Sequence, residues 1–84
     1  MEQFEQLIKQ LFMPLVMMPD RLQVTTVSEE ENFLTYQVLV DQQDLGRVIG
    51  KGGRVANAVR TIAYAGAAKN GKRIRIDIDA HPEQ

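Results

Sequence analysis

Eighty-four residues make one small domain, and a composition of 44% hydrophobic, 25% charged and 6% aromatic residues is that of an ordinary globular protein. The chain has no cysteine, which excludes disulfides, thiolate metal sites and a cysteine nucleophile, and so small a domain leaves little volume for an enclosed catalytic cavity. The net charge of −1 is unevenly placed: residues 1–46 carry 2 basic against 8 acidic residues (−6), and residues 47–84 carry 8 against 3 (+5), so a local basic surface can hide behind a near-neutral total.

No apolar run approaches the ~20 residues of a membrane span. The acidic opening Met1-Glu2-Gln3-Phe4-Glu5 does not resemble a signal peptide. A soluble, cytoplasmic protein with no cofactor and no metal is expected.

In chain order, Phe4, Leu7, Ile8, Leu11 and Leu15 recur at helical steps and predict an amphipathic helix over about residues 2–18. Pro14 lacks an amide donor and should kink or end that helix near Phe12–Met13, and Pro19-Asp20 opens a turn. Met13, Met17 and Met18 read as flexible core filler. Two strands are expected over Arg21–Ser28 and Phe33–Val40, where apolar and polar residues alternate. The polar connector Ser28–Asn32 makes them an antiparallel pair.

Asp41 is placed to cap a short helix over Gln42–Val48. The run Ile49-Gly50-Lys51-Gly52-Gly53 breaks it, and Arg54–Lys69 resumes helical periodicity up to the stop signal Asn70-Gly71. A last strand, Lys72–Asp79, turns Ile74, Ile76 and Ile78 inward and Arg73, Arg75, Asp77 and Asp79 outward. The order α-β-β-α-α-β predicts an α+β domain. Its sheet is three-stranded and mixed, the last two strands are parallel, and the helices pack on one face. The core spans about residues 21–79, and 80–84 form a polar tail.

The stretch Gly46-Arg47-Val48-Ile49-Gly50-Lys51-Gly52-Gly53-Arg54 holds the chemistry. Its glycines allow close approach of a ligand to the backbone, the free amides of the following helix favour an anion, and Lys51, Arg47 and Arg54 add positive charge. It is a phosphate-binding turn. A nucleoside-triphosphate loop is excluded because Lys51 is followed by Gly52 and not by Ser or Thr. A dinucleotide fingerprint fails because its third glycine position falls on Val55.

The G-x-x-G at Gly50–Gly53, between two helices and preceded by Val48-Ile49, resembles the loop of the K-homology (KH) domain, which clamps about four nucleotides. Through Asp44–Arg54, Arg60-Thr61 and Met13-Pro14-Leu15-Val16 with Pro19, the chain is similar to the small bacterial single-KH proteins of the KhpA kind, with the type II element order over nearly its whole length. The resemblance implies non-catalytic binding of single-stranded RNA in post-transcriptional regulation linked to cell elongation and division. In it Gly50 and Gly53 bracket the clamp, Lys51 and Gly52 form its tip, and Val48 and Ile49 form an apolar floor supported by Val55 and Val59. It also implies a homodimer, or a heterodimer with a larger KH-containing protein of the KhpB kind. Two features depart from the family's pattern. Ala56 replaces a large aliphatic residue, and Glu29-Glu30-Glu31 falls where the variable loop lies beside the groove and would repel phosphate.

The remaining chemistry-bearing residues have plainer readings. His81 is the lone histidine in a polar tail, and Asp77 and Asp79 are solvated or paired with Arg73 and Arg75. Tyr36 falls on the inward face of its strand. The small-sided helix Arg54–Lys69 has Val55, Ala58, Val59 and Ile62 for one buried face, which leaves Ala56, Ala63 and Tyr64 for a dimer interface. A protein-interaction module with weak or no RNA binding is the alternative function.

Overall fold

In the computed structural model, which describes residues 4–82, these periodicities resolve into six main elements: α1 (Glu5–Phe12), β1 (Gln23–Glu30), β2 (Phe33–Val40), α2 (Gln42–Ile49), α3 (Arg54–Lys69) and β3 (Arg73–Ala80). The sheet order is β1-β2-β3, with β2 antiparallel to β1 and parallel to β3. Leu34, Tyr36, Val38 and Val40 of β2 and Ile74 and Ile76 of β3 point to one face, where they meet Ile8 and Phe12 of α1, Val48 of α2 and Val59, Ala63 and Ala67 of α3. Full burial of each large side chain among these contributes about 1.5–3 kcal/mol. Tyr36 lies at the centre with its phenol oxygen accepting from the Phe4 amide at 3.2 Å. Burial holds this phenol above its usual range.

Three boundaries differ from expectation. Pro14 ends α1 at Phe12, the break expected of it, and Met13–Leu15 form a 3-10 turn, so the helix falls short of residue 18; residues 2 and 3 lie outside the described residues. A second 3-10 turn, Pro19–Arg21, occupies the expected start of the first strand, so β1 begins at Gln23. At the hairpin, a bulge between Thr26 and Ser28 restores the pairing and lets the strands run to Glu30 and Phe33. The five-residue connector is thereby reduced to Glu31-Asn32.

Both outer strands have an edge group held by a helix side chain. The Glu5 carboxylate accepts from the Thr26 amide (3.0 Å) and hydroxyl on β1. On β3, Arg60 Nε donates to the Ile76 carbonyl at 3.1 Å, and the Ile76 amide donates to the Tyr64 hydroxyl at 3.4 Å. Edge groups occupied in this way no longer template pairing with another strand.

The buried acid in the core is Asp44, only 1% exposed. Its carboxylate accepts from the Met17 amide at 3.1 Å and the Met18 amide at 3.0 Å, which ties the segment between α1 and β1 to α2. Hydrogen bonds to a charged acceptor contribute about 1.5–3 kcal/mol each, so removing this one strands two donors at once. Replacing Asp44 by Ala should lower unfolding stability by about 2–3 kcal/mol in urea titrations, with Asp44→Asn losing less. A loss under about 0.5 kcal/mol for Asp44→Ala would show that water replaces the carboxylate without cost.

Candidate nucleic-acid interface

The interface is built where α2 hands over to α3. The Asp41 carboxylate caps α2 by accepting from the Gln43 amide at 2.9 Å. At its other end the helix closes with the Gly50 amide donating to the Gly46 carbonyl, also at 2.9 Å. Three glycines then take positive φ: Gly50 (79°), Gly52 (64°) and Gly53 (80°). Lys51–Gly53 form one 3-10 turn closed by the Gly53 amide on the Gly50 carbonyl at 3.1 Å. Gly53 is the N-cap of α3 and brings no side-chain acceptor; the Arg54 amide donates to the Lys51 carbonyl, and the next first-turn amides of this 16-residue helix have no side-chain cap. Such amides, with the positive end of the helix dipole, attract an anion.

Two of the glycines are needed for different reasons. A Cβ on Gly50 would sit 2.5 Å from Val55 Cγ2 and 2.8 Å from the Val55 amide nitrogen, because the loop packs directly on the start of α3. Its ψ of 169° also puts it in a region open essentially to glycine alone. A Cβ on Gly52 would meet nothing within 4 Å, so the tip of the turn is bare backbone that an incoming group can touch.

Lys51, Arg47 and Arg54 surround this tip and are exposed. Among the described residues no carboxylate pairs with Lys51 or Arg54, while Arg47 Nε lies 3.8 Å from Asp44 Oδ1. The structure therefore gathers Gly50, Lys51, Gly52, Gly53, Arg47 and Arg54 into one exposed cationic turn. Ile49 and Val55 lie half-buried behind it.

Three expectations are corrected. Val48 is fully buried, so it supports α2 from within the core and offers no floor to a ligand. The face of α3 is also rotated from the one expected. Ala56 and Ala63 are 2% and 0% exposed, because their small side chains let α3 press onto the sheet, and neither is available to a partner. Ile62 is 55% exposed and Ala58 exposed, leaving Tyr64, at 37%, as the one open residue of the expected trio. Third, the acidic stretch Glu29–Glu31 does not flank the loop. The Arg73 amide donates to the Asn32 carbonyl at 2.7 Å, which sets the hairpin beside the C-terminal end of α3. The glycine turn caps the opposite end, about 24 Å away by helix length.

Two contributors went unread in the sequence. Asp44 anchors α2, and its only signal was an acid four residues before Val48 on an inward stripe. Arg60 reaches across to β3, a contact that depends on the strand crossover.

An α-β-β-α-α-β domain with a G-x-x-G turn between its second and third helices is a KH domain of type II order. The sequence pattern of the KhpA/KhpB KH domain matches residues 5–78, and the chain belongs to that family. The RNA-binding protein KhpA of Listeria monocytogenes serovar 1/2a is 47% identical over 74 residues, covering 88% of this chain and 96% of that protein. KhpA of Lactiplantibacillus plantarum is 40% identical over 79 residues, covering 94% and 92%. KhpA of Streptococcus pneumoniae serotype 4 is 40% identical, covering 94% and 98%. Among solved structures, Era in complex with MgGDPNP and nucleotides 1506–1542 of 16S ribosomal RNA superposes with a TM-score of 0.72. That match has 16% identity and covers 94% of this chain and 30% of Era, and it shows the fold alone. Among the described residues, no helix is long and apolar enough to cross a membrane.

The contrast between the two glycines is testable. Gly50→Ala should cost about 2–3 kcal/mol of unfolding stability through strain and overlap with Val55, while Gly52→Asn should cost under about 1 kcal/mol. Urea denaturation of the two variants measures this. Equal losses would mean that the loop does not hold the described backbone.

Proposed function

We propose that this protein binds single-stranded RNA without catalysis, clamping the phosphate backbone on the turn Gly50–Gly53. The observation that carries the reading is the start of α3 without a side-chain cap, beside the open tip at Gly52 and the exposed cations Lys51, Arg47 and Arg54. The names of its relatives, RNA-binding proteins 40–47% identical, support the same class of ligand. A flexible single strand suits the site because its backbone can bend into the turn and its bases are unstacked. One module neutralises few phosphates, so its affinity is modest and salt-dependent. Post-transcriptional regulation in cell elongation and division is the setting that the family resemblance suggests.

Fluorescence anisotropy with short labelled single-stranded RNAs at two salt concentrations tests the clamp. The native chain should bind more weakly at higher salt. Lys51→Asp/Gly52→Asp, which sets two carboxylates where phosphate would lie, should weaken binding at least about tenfold while leaving thermal unfolding nearly unchanged. Equal binding by native and variant proteins would overturn the reading.

A second copy of the chain completes it. With edge groups of both outer strands occupied, the exposed stripe of Ala58, Ile62 and Ala65 on α3 offers a surface where two helices can approach closely. A larger KhpB-type KH protein would use the same stripe. Pairing would align two weak clamps on one strand and raise avidity. Light scattering should give a dimer mass for the native chain and a monomer mass for Ile62→Glu. A monomeric native chain at high micromolar concentration would remove the homodimer.

A further inference from the structure

We infer that the far end of α3 carries a second contact for the same strand, a base-stacking site made by Phe33 and Tyr64 with Lys72 and Arg73 meeting the phosphate. This inference rests on the clamp reading and extends it. Phe33 and Tyr64 are 41% and 37% exposed, and both line one cavity of about 240 Å³ together with Ala68, Lys72, Arg73 and Ile74. Two aromatic rings and two cations, with no carboxylate among the described lining residues, match a planar base attached to an anion. Phe33 and Arg73 are register partners on adjacent strands, so their side chains leave the same face of the sheet as neighbours. Tyr64 is held in place by the Ile76 amide on its hydroxyl.

The site is continuous with the clamp. Arg54, Asn57, Arg60, Tyr64 and Ala68 follow one another at three- and four-residue steps along the flank of α3 that faces β3. That flank runs from the glycine turn to the cavity over about 21 Å, with Arg54, Asn57 and Arg60 as hydrogen-bond donors and Tyr64 as a ring. Beyond Phe33 a larger open cavity of about 610 Å³ is lined by Glu30 and Glu31 as well as Arg73, and these carboxylates close the far side to phosphate. A strand held by its backbone at Gly50–Gly53 thus has one track to follow and one place to end.

Anisotropy with labelled RNAs of about four and about twelve nucleotides separates the two contacts. The native chain should bind the longer RNA about tenfold more tightly than the shorter one, a gain of the size of one stacked base. Phe33→Ala/Arg73→Ala should abolish that gain and leave the affinity for the short RNA unchanged, which also shows that the variant is folded. Lys72→Glu, a single change at the same cavity, should reduce the gain independently. Lys51→Asp/Gly52→Asp should weaken both lengths. A gain that survives in Phe33→Ala/Arg73→Ala overturns the second site and leaves the clamp standing, and so does a dimer mass lost in that variant with the gain intact. A native chain that binds neither length overturns the clamp and the second site with it.

Discussion

The candidate site depends on a backbone turn whose first glycine, Gly50, leaves no room for a side chain. Gly50 lies against Val55 with less room than a Cβ requires, and Gly52 and Gly53 continue the turn at positive φ. That geometry lets α2 end and α3 begin within four residues, and it leaves the first amides of α3 without a side-chain cap. A conventional Ser or Asp cap at Gly53 would steady the helix by about 1 kcal/mol and fill the place where an anion would bind. The uncapped start is a local loss of stability retained at a site suited to a ligand.

The rest of the fold holds that turn still. The core beneath it is one layer of aliphatic and aromatic side chains from β2 and β3; α1 and α2 cover it with Ile8, Phe12 and Val48, and α3 with Val59, Ala56, Ala63 and Ala67. Asp44 fixes the first turn of α2 by tying it to the Met17 and Met18 amides, about 1.7 helical turns before Gly50. At the far end, Arg60 and Tyr64 fasten α3 to β3 at a single residue, Ile76. These attachments leave the cations Lys51 and Arg54 exposed with no ion-pair partner among the described residues, so their charge is available to a ligand.

The element order, the parallel β2–β3 pair and the glycine turn were legible in the sequence because each rests on a local code. Those codes are the alternation of Leu34, Tyr36, Val38 and Val40, the Asp41 cap, and the unusual density of glycine at 50–53. The burial phase of α3 was not legible. Ala56, Ala58, Ala63, Ala65, Ala67 and Ala68 are equally apolar on every side, so hydropathy cannot choose a face, and taking the bulky Ile62 as core chose the wrong one. Close helix–sheet contact selects small residues, which only the assembled layers reveal. The burial of Asp44 was not legible either, because its partners lie 26 and 27 residues earlier in the chain. The position of Glu29–Glu31 required the register of Phe33 with Arg73 and the Arg73 amide bond to the Asn32 carbonyl, which are likewise non-local.

The most direct test is an amide-resolved nuclear magnetic resonance titration of the labelled protein with a short single-stranded RNA. The account predicts that the largest shifts fall on the amides of Lys51, Gly52, Gly53, Arg54 and Val55, fade at higher salt, and leave the Asp77 and Asp79 amides on β3 nearly still. Shifts concentrated on the open face of the sheet, with the Gly50–Val55 amides unmoved at saturation, would contradict it.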